Sequence, residues 1–430
     1  MGNLRAFGEQ RRIAFFMELT RKYGEIASFR LGPRRIFLIS DPKLIEQVLV
    51  TDARHYIKHF GARAYKPILG NGLVTSEGET WLRQRRLSQP AFLKQRVLAY
   101  APLMAEITTQ SLDRWQPGSA VDIHLEFSEI TSAIALKTLF NLDDPGDRDR
   151  FTTTLREVFD QISNRFHLMI ALPRWIPSPA NRRLNRGVKE LFGVVDGFIA
   201  KGRARTEPGE DLLSRLLMAQ DVDGSKMPDD LLRDEMMTLY LAGHETTALT
   251  LTWSWYLISQ HPEVEAKLVA EWNRVLGGRC PTPDDLPQLP YTDSVITEAM
   301  RLYPPVYLIG REATQDLELG GYRVKKGYTI FMSQWVNHRD PRYFPEPEAF
   351  RPERWDEGLA KKIPKYAYYP FGGGQRVCIG NTFALMEAAI ILAAVGQRFR
   401  FTVDPDARIV PKPQITLTPA YGIPTTLSPR

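Results

Sequence analysis

Apolar positions along the chain follow two regimes. From about residue 80 to 300 they recur at helical spacing, and Pro173, Pro177, Pro179, Pro208, Pro228, Pro262 and Pro281 fall between the predicted helices. Toward both ends, short runs of β type appear. Arg12 to Tyr23 predicts an amphipathic helix, and Ile26 to Ile39 two short strands broken by Gly32-Pro33. Residues 41–51 predict a helix opening at Asp41-Pro42, an N-cap followed by proline at the first helical position. Residues 305–335 add β runs with turns at Gly320-Gly321 and Lys326-Gly327. Residues 339–365, rich in proline and charge, predict an ordered coil, and residues 371–380 a glycine-rich loop. Asn381 to Arg398 predicts a helix, followed by further strands. There is no internal repeat, low-complexity tract or linker. The β runs of the two ends are expected to meet. The result is one mainly α domain over residues 1–430, with a small β lobe from about 25–60, 305–365 and the C-terminal strands.

One stretch, Met236 to Ser259, is apolar and long enough to span a membrane. His244 and Glu245 lie near its centre, and the acid there would cost roughly 2.5 kcal/mol or more in lipid. A long buried helix of a soluble protein is the better reading. Composition agrees: 43% apolar and 25% charged residues in 430 exclude disorder, collagen and coiled coil. The net charge of +6 is dispersed, without the dense basic stripe of a nucleic-acid binder. It suits a basic face for an acidic protein partner. Two cysteines, Cys280 and Cys378, make no disulfide framework, so a reducing compartment, the cytoplasm, is expected. The N-terminus lacks the apolar core of a signal peptide, and Ala6 breaks the myristoylation pattern.

The sharpest string is Phe371-Gly372-Gly373-Gly374-Gln375-Arg376-Val377-Cys378-Ile379-Gly380. A lone cysteine is usually a small buried hydrophobe. Here three glycines let the backbone approach a flat ligand. A helix start favours a thiolate, and Arg376 can pair with an anionic group. Such a thiolate suits an iron ligand. The string resembles the haem-binding signature of the cytochrome P-450 monooxygenases. That resemblance implies Cys378 as axial thiolate of haem b, Arg376 on a propionate and Phe371 beside the sulfur. The amides of Ile379 and Gly380 would donate to the sulfur and tune the iron. Cys280, in the Gly277-Gly278-Arg279-Cys280-Pro281 turn, has no such setting.

Other strings extend the resemblance in the family's order. Glu298-Ala299-Met300-Arg301 puts acid and base on one helical face. With Arg354 in Phe350-Arg351-Pro352-Glu353-Arg354-Trp355, it resembles the family's Glu-x-x-Arg helix and partner arginine. The implied triad of Glu298, Arg301 and Arg354 is structural, holding the coil that carries Cys378. Trp81-Leu82-Arg83-Gln84-Arg85 resembles the Trp-x-x-x-Arg helix, with Trp81 and Arg85 reaching a haem edge, and Arg311 matches a further propionate position. In Ala242-Gly243-His244-Glu245-Thr246-Thr247, Gly243 costs about 1 kcal/mol against alanine in a helix. The Thr246 hydroxyl can bond the Ala242 carbonyl and distort the ladder. The hexamer resembles the family's oxygen-binding groove, with Ala242 leaving room for the cofactor and Glu245 and Thr246 as acid–alcohol pair.

The implied fold is mainly α with a small β lobe, haem being buried between the oxygen-binding helix and the cysteine loop. The implied reaction inserts one atom of O₂ into a C–H or C=C bond of a lipophilic molecule. Electrons would come from a separate acidic donor (ferredoxin, flavodoxin or reductase) at a basic face including Arg83, Arg86, Lys94 and Arg96. A monomer that binds no nucleic acid is expected. An O₂-independent isomerase or dehydratase is the main rival. Such relatives generally lack the acid–alcohol pair, and peroxide-driven relatives typically carry Arg and Pro there. A non-enzymatic haem sensor would need the thiolate but not the groove. Phe60, Leu73, Phe159, Phe166, Val306, Leu308 and Ile415 are the apolar candidates for the substrate pocket. They suit a fatty acid, terpene, polyketide or similar lipophile. The chain opens at Met1-Gly2-Asn3-Leu4 without the Pro-Gly-rich hinge of many family members, which suggests a trimmed N-terminus.

Overall fold

The strand Arg34–Ile39 ends in four consecutive buried residues because both of its faces are covered. Ile36 and Leu38 pack among Phe15, Phe16, Phe29 and Phe331. On the other face Phe37 and Ile39 join Ile330, Met332, Tyr366 and Tyr369. A strand buried on both sides reads as a continuous apolar run instead of alternating. Each such side chain contributes about 1.5–3 kcal/mol of burial.

The computed structural model describes residues 7–8, 11–142, 145–168, 176, 178–207 and 209–430. It is mainly helical, with a small β portion. The chain divides into two compact units, Met1–Phe60, Lys94–Ser132 and Gly243–Arg430 forming the first, and Gly61–Leu93 and Ala133–Ala242 the second.

The first unit carries a five-stranded sheet of β1 (Ile26–Leu31), β2 (Arg34–Ile39), β3 (Tyr56–Lys58), β4 (Ile309–Ala313) and β5 (Thr329–Met332), in the order β1-β2-β5-β4-β3. Strands from both ends of the chain therefore share one sheet. β2 and β5 run parallel, with Ile36 opposite Thr329, and the other pairs are antiparallel. The helix Arg12–Tyr23 supplies Phe15 and Phe16 to one face of this sheet. The segment after β2 starts as expected, with Asp41 accepting from the Lys43 amide at 3.1 Å. Its α-helix stops at Glu46, however, and widens to a π-turn over Gln47–Thr51. Two further helices, Pro290–Leu302 and Asn381–Arg398, also lie in this unit.

The second unit contains the helices Gly78–Ser88 and Pro179–Arg203 and the first part of the 31-residue helix Asp229–Ser259. Its core includes the rings of Phe140, Phe151, Phe198 and Tyr240. Among the described residues no helix is long and apolar enough to cross a membrane.

Candidate active site

The cysteine loop is closed by its own backbone. The Cys378 amide donates to the Phe371 carbonyl at 3.0 Å, and a single 3-10 turn, Gly374–Arg376, lies between. Gly374 is in the left-handed region at φ +65°, and an added Cβ would lie 1.9 Å from the Leu49 carbonyl oxygen. Only glycine permits that approach. The contact sets the loop against the π-turn that follows β2. Gly380 caps the helix Asn381–Arg398, its carbonyl accepting from the Ala384 amide at 2.9 Å. The exposed Cys378 thus stands just ahead of the positive end of a helix dipole. Cys280 differs: burial pushes its thiol up to about 11, so it stays protonated.

A buried ion network lies behind the coil that precedes the loop. Glu298, Arg301 and Arg354 are essentially inaccessible. Glu298 Oε1 accepts from Arg301 Nη2 at 2.8 Å, Arg354 Nε at 2.9 Å and the Arg351 amide at 3.1 Å. Its Oε2 accepts from Arg301 Nε at 2.9 Å and Trp355 Nε1 at 2.8 Å. Arg301 Nη1 donates to the carbonyls of His338 and Pro347, and Arg354 Nη1 to that of Pro345. Both guanidinium groups therefore clamp the 338–349 coil. His338 carries the link onward, its Nε2 accepting from the Tyr369 amide two residues before the cysteine loop. Burial, reinforced by Arg301 and Arg339, lowers the pKa of His338 well below normal, so the ring is a neutral acceptor. Nothing in the string Asn337-His338-Arg339 announces this role.

In the long helix, Met236 to Tyr240 and Thr247 to Trp255 are buried, whereas Leu241 to Thr246 are all partly accessible or, at Ala242, exposed. A Cβ placed on Gly243 would meet nothing within 4 Å. Hydroxyls bond back along this helix, Thr247 to the Gly243 carbonyl at 3.0 Å and Thr250 to that of Thr246 at 2.9 Å. Glu245 is engaged by a residue that sequence reasoning missed: the Thr416 hydroxyl donates to Glu245 Oε1 at 2.8 Å.

The sequence pattern described as Cytochrome P-450 matches residues 1–424. The chain belongs to the cytochrome P-450 family. It is 39% identical to cyclooctatin synthase of Streptomyces melanosporofaciens, over 94% of this chain and 88% of that protein. It is 38% identical to cyclooctat-9-en-7-ol 5-monooxygenase of the same organism, over 91% and 85%. Its fold superimposes on the crystal structure of the cytochrome P-450DA haem domain with a TM-score of 0.91, covering 100% of this chain and 95% of that one at 26% identity. This P-450 is accordingly a monooxygenase with haem as its cofactor.

The residues present fit that cofactor. A thiol ahead of a helix start is a proper iron ligand. The accessible stretch Leu241–Thr246, between buried segments of the helix and with open space at Gly243, leaves room beside the backbone. Arg376, Phe371, Gly380, Arg311, Glu245 and Thr246 all belong to the same unit as Cys378. Arg311 lies on β4, opposite Ile330 of β5 and Lys58 of β3. Trp81, buried, and Arg85, half-buried, lie on the helix Gly78–Ser88 of the other unit.

Among the substrate candidates whose side chains are described, Ile415 is the most open, at 42% exposure. Val306 is half-buried, and Leu308 packs against the Phe15–Phe29 cluster. Arg34 stacks over the Phe60 ring at 4.5 Å. Leu73 is buried and donates its amide to Glu235 Oε2 at 3.0 Å. Phe159 and Phe166 lie outside the residues whose side chains are described.

Of the basic side chains expected to point outward, Lys94 and Arg96 are exposed. Arg83 is not free in this way. Its Nε reaches Asp221 at 3.1 Å, and its Nη2 donates to Ser225 and to the Lys226 carbonyl. Arg86, still half-exposed, pairs with the same Asp221 at 2.6 Å. A carboxylate far along the chain captures both, which their local sequence does not reveal.

Proposed function

We propose that this P-450 hydroxylates or epoxidises an unsaturated carbocyclic lipophile of terpene type, with Cys378 as the axial thiolate ligand of haem b. Arg376, Arg311, Trp81 and Arg85 would hold the propionate edges, with Phe371, Gly380 and Ala242 lining the macrocycle. When bound, the haem supplies the activation of O₂. The protein supplies the proton. Glu245, whose Oε1 accepts from the Thr416 hydroxyl, would relay it, and the Thr246 hydroxyl would present it to the haem side of the helix. Apolar side chains such as Val306, Leu308 and Ile415 favour a ligand without charge. The terpene class is supported by the relative named for oxygenation of cyclooctat-9-en-7-ol, an unsaturated carbocyclic alcohol. The reading is of a cytoplasmic monomer, working as one catalytic domain and fed electrons by a separate acidic donor.

The observation that carries this reading is the Cys378 loop, closed on Phe371 and set against Leu49 just ahead of a helix. Reduction of the haem protein under carbon monoxide tests it. The Soret band should lie at the position of thiolate-ligated haem and lose that character in Cys378→Ala but not in Cys280→Ser. A band typical of histidine ligation in intact protein overturns the assignment. Binding spectra with a panel of terpene alcohols and hydrocarbons, against fatty acids and polyketides, test the substrate class.

A further inference from the structure

The terminal hairpin, Pro411–Pro413 paired with Leu417–Pro419, is pinned around its tip. Tyr307 donates its hydroxyl to the Gln414 carbonyl at 2.8 Å. Arg12 Nη1 donates to the Tyr307 oxygen at 2.7 Å and to the Pro413 carbonyl at 3.1 Å. The Leu417 amide donates to the Pro305 carbonyl at 2.9 Å, and the Leu417 carbonyl accepts from Trp253 Nε1 at 2.8 Å. None of these anchors uses the Thr416 side chain. That side chain is buried, and its hydroxyl donates to Glu245 Oε1. Its neighbour Ile415 is largely exposed.

We propose that Thr416 is a positioning residue, which fixes the Glu245 carboxyl and so ties proton delivery to the hairpin that presents Ile415. The proposal rests on the reading of Glu245 as the proton carrier. A donor on Oε1 makes the two carboxyl oxygens inequivalent and leaves Oε2 to hold the proton. A ligand that presses on Ile415 moves Thr416 with it, because the two are adjacent at the tip. Such a shift lengthens the hydrogen bond and lets the carboxyl turn. His124 is close enough to Glu245, His244 and Asp122 to feel the charge of each. Lys412 is the one charged residue of the hairpin sequence.

The test uses the full haem-loaded chain and infrared difference spectra. The Glu245 carboxyl band is identified by its loss in Glu245→Gln. In Thr416→Val the carboxyl stretch should move to higher frequency, as expected when the hydrogen bond on Oε1 is lost. Thr416→Ser should restore it. In turnover, Thr416→Val should release more peroxide per NADPH. An unmoved band in Thr416→Val with full haem content overturns the proposal, even where Glu245→Gln is uncoupled. Unchanged coupling in Glu245→Gln overturns the acid reading itself, and the proposal with it.

Discussion

Glu387, in the helix that follows Cys378, is buried against the Thr247 hydroxyl of the long helix. The two helices that frame the proposed haem site thus meet at a carboxyl and an alcohol. Burial pushes Glu387 up to about 8. Between its ordinary 4.5 and about 8, the folded protein holds this proton while the unfolded chain has released it. Stability therefore falls as pH rises through that window. Glu387→Gln should be the more stable protein at pH 8 and have a flatter profile. Denaturation midpoints of both haem-loaded proteins at pH 5 and pH 8 check this, and parallel profiles would refute it.

Removing one member of the Glu298–Arg301–Arg354 network strands the others as buried charges. The expected loss is roughly 3–5 kcal/mol, a large share of a typical stability of about 5–15 kcal/mol. Arg301→Ala should express poorly or without haem. Arg301→Lys should not rescue it, because an ammonium cannot reproduce the two-pronged grip on Glu298. Full haem content in Arg301→Ala would contradict this account.

Thr246→Ala should keep haem and substrate binding yet divert electrons. Positioned proton transfer is worth a factor of about 10² or more. Product formation should fall by about that factor while NADPH consumption continues and peroxide accumulates. Unchanged product per NADPH counts against Thr246.

Electron delivery separates the basic residues. Reversing Lys94 and Arg96 together should slow reduction by a ferredoxin severalfold at low salt. The effect should fade as the Debye length shrinks below about 8 Å, and peroxide-supported turnover should be intact. Arg83→Glu is a different experiment, because it breaks the Asp221 pair and perturbs the Ser225–Lys226 turn. Reduction rates insensitive to both salt and the double reversal would place docking elsewhere.

Features written in neighbouring residues could be read from the sequence. Gly32-Pro33 separates β1 from β2, Asp41 caps where expected, and the helix after the cysteine runs from Asn381 to Arg398. The π-turn at Gln47–Thr51 could not, since the segment packs against Gly374 from the far end of the chain and nothing in its own residues marks the widening. The same holds for single residues whose partners are remote. Thr416 on Glu245, His338 under Tyr369 and Asp221 holding Arg83 each join side chains with no shared local pattern.

The parallel pairing of β2 with β5 sets a schedule for synthesis. β2 is made early, and the strand that covers its edge is made only after most of the chain. At about 5–20 residues per second, the wait is on the order of tens of seconds. Throughout it the β1–β2 hairpin exposes apolar residues on both faces and the unpaired edge of β2, which is what foreign strands bind. Yield of this enzyme in a host cell should therefore depend on chaperone supply and translation speed as much as on haem supply.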